Sequence, residues 1–407
     1  MSQSASRTQP DACPGALRVH EAADGGLARV RVPGGALMPR QVRALAAVAS
    51  LGDGGLELTS RANLQVRGLP PDAGRQLAER LAAAGLLPSV AHERVRNIIA
   101  SPYDDGRAQL DARALAAELD AALCADPRLA DLPGRFLFAV DDGRADVVPL
   151  NPDVGLFALG DRVALVLAGE DSGVRLAPGG AVPGAIAAAE AFLAERTSQW
   201  RIAELADGPR RVADRVAAAL GVDRVDPVPV PATPPGTHAQ VGVVFRRDGR
   251  TAVAAGAPLG RLSPEQVDII TAASDAAGGA RLTPWRTVVL PGLPDEAAGR
   301  WVSDLAAHGL LVDPSADGVG VTSCTGRPGC AKALADVRAD ATRTMSRAVG
   351  LPVHWAGCRR RCGRPQGRVV EVLATEAGYE VGLGETTTSA ADVDQVAAAL
   401  DAARRAV

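Results

Sequence analysis

The chain has 407 residues, too many for one ordinary core, so about two to four domains are expected. Hydrophobic residues make up 47% of it and aromatic residues only 3%, so Leu, Val and Ala must do most of the packing. A net charge of −3, with Arg spread along the whole chain, gives no handle for nucleic acid, and no apolar run reaches membrane-spanning length, so neither partner is expected.

Taken in chain order, the apolar pattern predicts a strand over residues 28–32, a helix over 40–50, a strand over 56–66 and a helix over 72–84. The next segment, 108–220, offers a helix ending near Cys124, strands over 135–140, 154–158 and 163–167, and helices over 184–195 and 209–220. The stretch Asp226-Pro-Val-Pro-Val-Pro-Ala-Thr-Pro-Pro-Gly236 reads as a linker, because its prolines fit neither a helix interior nor a central strand. Beyond it the first pattern returns, with a strand over 239–246, a helix over 263–276, a strand over 281–290 and a helix over 295–307. The last segment predicts a helix over 331–349, strands over 352–355, 368–374 and 379–383, and a helix over 390–405. Strand–helix alternation with Gly/Pro turns is an α/β or α+β pattern.

The two sides of the linker are related. Leu58-Thr-Ser-Arg-Ala-Asn-Leu-Gln-Val-Arg-Gly-Leu-Pro70 aligns without gaps on Leu282-Thr-Pro-Trp-Arg-Thr-Val-Val-Leu-Pro-Gly-Leu-Pro294, and Gly85-Leu-Leu87 meets Gly309-Leu-Leu311 at the same offset. Gln41-Val42 pairs with Gln266-Val267 one residue out of register. Self-similarity at so long a period means repeated domains. The chain divides accordingly into 13–105 and 106–225, a linker over 226–237, then 238–315 and 316–407.

Six cysteines are present, and four form two pairs, Cys324-Thr-Gly-Arg-Pro-Gly-Cys330 and Cys358-Arg-Arg-Arg-Cys362. Four thiolates on two short loops suit a cubane cluster, which takes one sulfur per iron. Zinc also accepts four thiolates, although the first gap is long for a zinc knuckle. Cys330 precedes the predicted helix over 331–349, whose first amides would favour an anionic cluster. Cys124 reads as a buried filler, and Cys13, in Cys13-Pro-Gly15, as structural or close to a site. The first ten residues lack the apolar segment of a signal peptide, which predicts a cytoplasmic protein whose cysteines serve metal or catalysis rather than disulfides.

These motifs carry a resemblance. The two cysteine pairs, Thr59-Ser-Arg-Ala-Asn-Leu-Gln65 and Arg94-Val-Arg-Asn-Ile-Ile-Ala-Ser-Pro102 resemble, in order, the cluster, Thr-x-Arg-x-x-x-Gln and Arg-Asn-Val elements of the nitrite/sulfite reductase superfamily. The family's Leu-Pro-x-Lys-Phe-Lys element is matched by Leu132-Pro-Gly-Arg-Phe-Leu137, where Arg135 stands for the first Lys and Leu137 cannot replace the second. Cys13-Pro-Gly15, Asp24-Gly-Gly-Leu-Ala-Arg-Val-Arg31 and Pro33-Gly-Gly35 are similar to elements of the precorrin-3B synthase branch.

The resemblance implies an α+β fold of duplicated nitrite/sulfite reductase-like architecture. Two ferredoxin-like half-domains, 13–105 and 238–315, would form a pseudo-two-fold unit, with two α/β domains, 106–225 and 316–407, binding cluster and tetrapyrrole. It implies an NADH-linked monooxygenase that hydroxylates precorrin-3A with O2 and closes a lactone. The alternative is a sirohaem-dependent assimilatory nitrite or sulfite reductase. Cys324, Cys330, Cys358 and Cys362 would ligate a 4Fe-4S cluster, non-haem iron is implied as well, and sirohaem is an open possibility. Arg61, Arg96 and Arg135 would be catalytic, and Arg61, Gln65, Arg96 and Asn97 would bind substrate. Arg pairs bidentately with carboxylate, so Arg67, Arg359, Arg360, Arg361 and Arg364 are further candidates for a polycarboxylate tetrapyrrole. Asn97 and Gln65 would orient a substrate oxygen or satisfy backbone. No dinucleotide fingerprint is present, so NADH electrons would arrive through a separate reductase or ferredoxin. Of the five His, His92 and His354 lie four residues before Arg96 and Cys358 and are either structural or iron ligands; His308 reads as structural, and His20 and His238 carry no assignment.

Overall fold

A computed structural model describes residues 14–234, 236–345 and 351–405. Cys13 therefore lies outside the described residues. Within them, no helix is long and apolar enough to cross a membrane. The chain forms two compact units, one of Met1–Leu17, Arg31–Ala36 and Gly85–Pro234, the other of Arg18–Val30, Leu37–Ala84 and Pro235–Val407.

The second unit contains the two related segments. In the first copy, strands His20–Ala22, Gly25–Val30, Leu64–Leu69 and Leu56–Leu58 lie in that order in an antiparallel sheet. In the second, Gly242–Arg247, Arg250–Gly256, Thr287–Pro294 and Ala280–Leu282 repeat that order. Each sheet is completed by a two-residue strand from the other copy: Arg261–Leu262 pairs with Leu56–Leu58, and Ala36–Leu37 extends the second sheet beside Ala280–Leu282. This exchange makes the two copies one folding unit. Helices Pro39–Ala49 and Ala73–Ala83 belong to the first copy, and Pro264–Ala277 and Asp295–Ala307 to the second. Each pair buries its apolar stripe, through Val42, Leu45, Leu77 and Leu81 in one copy and Val267, Ile270 and Leu305 in the other.

The two remaining sheets also share one design. Val321–Ser323, Val353–Ala356 and Val370–Thr375 run parallel, then Gly378–Leu383 and Thr386–Ala390 turn antiparallel. In the other unit, Ile98–Ala100, Phe138–Asp141 and Val154–Leu159 run parallel, then Arg162–Leu167 and Glu170–Leu176 turn antiparallel. The duplication thus reaches beyond the half-domains. Helices Ala112–Ala125, Ala181–Glu195 and Gly208–Leu220 cover the latter sheet around Phe136, Phe138 and Phe192. Helices Val337–Arg343 and Val393–Arg405 cover the former around Trp355.

Three expectations need correction. The strands expected over 56–66 and 281–290 are each two strands separated by a tight turn, because Thr59 and Thr283 capture backbone amides that a ladder would have used. Of the helix expected over 331–349, the described residues, which end at 345, form Val337–Arg343, started by the Asp336 side chain accepting the Ala339 amide; 346–349 lie outside them. Cys330 therefore ends in a turn and does not open a helix; the Ala333 amide bonds back to its carbonyl. Short strands Ile98–Ala100 and Val321–Ser323, and the polar Thr386–Ala390, escaped the apolar pattern.

Candidate functional site

The cysteines follow from the sheet. Val321–Ser323 and Val353–Ala356 are parallel neighbours, with Ser323 opposite Trp355, so the loops after their carboxyl ends emerge side by side. The first loop carries Cys324 and Cys330, the second Cys358 and Cys362. The Cys324 amide donates to the Trp355 carbonyl at 2.9 Å, and the Leu334 amide to the Gly357 carbonyl at 2.8 Å. The Gly357 amide donates to Cys324 Sγ at 3.1 Å. A Cβ on Gly357 would lie 2.8 Å from Ala333 Cβ and 3.5 Å from Cys324 Sγ, so only glycine lets the loops approach this closely. Burial pushes the Cys324 thiol up against the pull of the Gly357 and Gly326 amides, with Cys362 and Cys358 adding to the rise. Burial also pushes Cys362 up, opposed by Arg360 and Arg29 and assisted by Cys358 and Cys330. The four thiols therefore share one neighbourhood. Among the described residues, no three His, Cys, Asp or Glu side chains close on one point as a single-ion site requires.

Around them the first half-domain supplies a charged frame. Arg67 is 5% exposed, and its guanidinium forks onto Asp24 at 2.8 Å twice while Nη2 also donates to the Gly329 carbonyl at 2.8 Å. It braces the first cysteine loop and is not free for a ligand. Glu57 is a buried hub that accepts from Arg338 at 2.6 Å and from Gln65 at 3.2 Å. The Gln65 oxygen accepts from Arg29 at 3.0 Å, so Gln65 bridges Glu57 and a cation that acts on Cys362. Arg61 is half-buried on the turn before Leu64–Leu69. Arg361 and Arg364 both bond Glu371, whereas Arg359 and Arg360 are exposed beside the cysteines.

Arg96, Asn97 and Arg135 belong to the other compact unit. Arg96 is 3% exposed; it forks onto Asp120 at 2.7 Å twice, and Nη1 donates to the Leu86 carbonyl at 3.1 Å. A ligand can reach its guanidinium only if that pair opens. The Asn97 amide group donates to the Gly134 carbonyl at 2.8 Å, so this side chain satisfies backbone and ties its segment to the loop before Arg135. Arg135 is exposed, 5.0 Å over the ring of Trp200. Leu137 is 5% exposed, and its amide donates to Asp153 at 2.9 Å. Cys124 is half-buried beside Arg96 and Asp120, its thiol raised first by burial.

The histidines divide. His92 is buried with Nδ1 on the Ser89 hydroxyl at 2.7 Å and Nε2 on the Asp126 carbonyl at 2.9 Å, so it serves structure. His308 is exposed at a helix end, bonded to the Asp304 carbonyl. His354 is fully buried with Nδ1 on Thr322 at 2.9 Å. Burial, then the charge of Arg286, takes its imidazole down to about 3, so it is neutral. Sequence reasoning assigned no role to Arg29, Glu57, Arg338 or Arg286. The Asp24…Arg29-Val-Arg31 motif was the available signal for the first, and Arg31 of that motif is buried with Nε on the Arg94 carbonyl at 3.2 Å.

Known proteins agree with this architecture. The nitrite/sulfite reductase ferredoxin-like half domain family matches residues 20–84 and again 245–308. Ferredoxin–nitrite reductase of Synechococcus elongatus is 28% identical over 88% of this chain and 81% of its own length. Precorrin-3B synthase of a Sinorhizobium species is 27% identical over 90% of this chain and 81% of its own. The structure of the Mycobacterium tuberculosis NirA protein superposes with a TM-score of 0.76 at 21% identity, covering 92% of this chain and 79% of that one. The protein has the nitrite/sulfite reductase fold, α+β with duplicated ferredoxin-like half-domains. In its half-domains it is similar to nitrite and sulfite reductases, and over most of its length to a ferredoxin–nitrite reductase and a precorrin-3B synthase alike.

Proposed function

We propose that the protein is an iron–sulfur oxidoreductase acting on a tetrapyrrole, in the manner of precorrin-3B synthase. The reaction inserts one atom of O2 into precorrin-3A, releases the other as water with two electrons and two protons, and closes a lactone through an acetate arm. The observation that supports this over anion reduction is Leu137. Where the reductase motif has its second Lys, this chain has an apolar side chain buried in the core and tied through its amide to Asp153, with neither charge nor proton to offer.

The thiols fit a 4Fe-4S cluster. A single zinc wants four sulfurs about 2.3 Å from one centre, whereas a cubane takes one sulfur at each of its irons, which suits four thiols spread over two loops in one neighbourhood. Cys324, Cys330, Cys358 and Cys362 would hold it, and when bound it passes electrons singly. The Gly357 amide stabilises the Cys324 thiolate by direct donation. Arg29 and Arg360 favour a thiolate at Cys362 against the rise that burial causes. Gln65, held between Arg29 and Glu57, fixes the cation on that side. Beside the cysteine loops, Arg61 and Arg359 would supply guanidinium groups for carboxylates of the substrate. Electrons come from NADH through a separate reductase or from a ferredoxin, the donor named for the cyanobacterial relative.

A sirohaem-dependent nitrite reductase is the second reading, favoured by a match of equal strength to the Synechococcus enzyme. The absorption spectrum of anaerobically purified protein, with iron and acid-labile sulfide analysis, separates the two. A cluster shoulder, about four to five irons and no Soret-type band support the hydroxylase. A sirohaem band moves the assignment to the reductase, and zinc without sulfide rejects both.

A further inference from the structure

The second copy of the turn carries a buried cation that no carboxylate pairs with among the described residues. Arg286 stands at the left-handed corner of that turn, with φ 61°. Its side chain passes between Gly260 and Gly363, both at positive φ, and a Cβ on Gly363 would come within 2.9 Å of Nη2. Nη2 donates to the Gly363 carbonyl, but Nη1 is buried without a hydrogen-bond partner. Among the described residues no carboxylate lies within ion-pair distance of Arg286. Glu57 acts on it through space only, and its oxygens already accept from Arg338 and Gln65. Arg67, another buried arginine of this unit, forks onto Asp24, so burial by itself does not leave an arginine without a counter-charge.

The arginine lines a pocket of about 490 Å³, open mouth included, together with His238, Trp285, Thr287 and Thr322, and among the described residues no acidic one is in its walls. Thr322 is in turn held against the buried, neutral His354. A guanidinium kept out of water keeps its charge, and burial lowers its pKa only to about 10. An unpaired charge held this way calls for an anion.

We propose that the Arg286 pocket binds a carboxylate, which accepts the hydrogen bond that Nη1 lacks. It comes from a free small carboxylate or from one arm of a polycarboxylate tetrapyrrole. The site stands on its own geometry and does not rest on the hydroxylase reading.

The test uses the full chain with acetate, and separately with uroporphyrin as a polycarboxylate probe, at constant ionic strength, in wild type, R286Q and R286K. The readouts are the thermal midpoint and tryptophan fluorescence, because Trp285 forms part of the wall. Saturable acetate binding that R286Q weakens about tenfold or more, and R286K weakens less, assigns a free carboxylate. Saturable binding of uroporphyrin alone, weakened in R286Q by a similar factor, assigns an arm of the tetrapyrrole. R286Q should unfold no earlier than wild type in anion-free buffer, since it removes an unpaired charge. If R286Q does not fold, the comparison of R286K with wild type carries the same test. The proposal is overturned if neither probe binds saturably, or if the substituted protein binds both as wild type does.

Discussion

Thr59 and Thr283 close the same turn, one in each copy of the half-domain. Thr59 Oγ1 accepts the amides of Arg61 and Asn63, and Thr283 Oγ1 accepts those of Trp285 and Thr287. The Thr59 amide donates to the Asn63 carbonyl at 2.9 Å, and the Thr283 amide to the Thr287 carbonyl at 3.0 Å. Ala62 and Arg286 take the left-handed corner with φ of 54° and 61°. The helices repeat this agreement, since Gln41 caps its own helix and donates to the Ala84 carbonyl while Gln266 caps its own and donates to the His308 carbonyl.

Replacing the threonine hydroxyl by a methyl should therefore unfold the turn from within. T283V leaves two amides without their acceptor at a position 1% exposed, and the expected loss is about 2–3 kcal/mol. T59V should cost less, because Thr59 is half-exposed and water can replace the hydroxyl. Urea unfolding midpoints of the two variants against wild type check the order; a larger loss for T59V would contradict the burial argument.

This turn also shows what could be read in advance. The gap-free repeat from Leu58 to Pro70 and from Leu282 to Pro294 made the duplication legible, and the spacing within the two cysteine pairs marked the candidate cluster loops. The turn inside the repeat was not legible, because Leu, Val and Thr continue through it as a strand would, and only Thr hydroxyl geometry breaks the ladder. The predicted helix after Cys330 failed for a related reason. Its Ala-rich composition favours a helix, but the Leu334 amide is taken by the Gly357 carbonyl and Asp336 starts the helix later. The arginines were the least legible part. Composition cannot tell that Arg67 locks onto Asp24 while Arg361 and Arg364 lock onto Glu371, since partner choice is a long-range property.

Arg67 ties Asp24 to the first cysteine loop, so R67Q should weaken both. The fork onto Asp24 and the bond to the Gly329 carbonyl are lost together. Asp24 is partly exposed and regains water, which keeps the expected destabilisation to about 2–3 kcal/mol, below that of a fully buried pair. Iron retained per chain after gel filtration should fall relative to wild type; unchanged retention would separate the brace from the cysteine loop.

The unit without the two cysteine pairs carries buried acids at the corresponding strand ends. Ser101 follows Ile98–Ala100, and Asp141, Asp142 and Asp146 lie at and beyond the end of Phe138–Asp141. Burial, then the charge of Asp141, pushes Asp146 up to about 8, while the Ser101 hydroxyl donates to it at 2.6 Å. A carboxyl whose folded pKa is raised binds a proton on folding. Its contribution to stability is full below the unfolded carboxylate range and is lost as pH climbs through about 8. Wild type should therefore lose stability between mildly acidic and mildly alkaline pH. D146N, which keeps an acceptor for Ser101 but cannot ionise, should flatten that loss. Thermal midpoints across the window decide it, and parallel curves for the two proteins would remove Asp146 from the explanation.

Gly357 is the point where the two cysteine loops touch, and G357A isolates that contact without deleting a ligand. The added methyl would meet Ala333 Cβ at 2.8 Å, a backbone-anchored neighbour that cannot swing aside, with Cys324 Sγ at 3.5 Å behind it. Either the loops part or the Gly357 amide moves off Cys324 Sγ, at a cost of about 1–3 kcal/mol. Overall stability should change little beyond that, because the Trp355 core beneath the loops is untouched. Iron and sulfide bound after anaerobic reconstitution should fall well below wild type, though not to the level of C358A, which removes a thiolate outright. Full occupancy in G357A would mean that the loops can spread to take the cluster, and that their close approach in this structure is not what positions the four sulfurs.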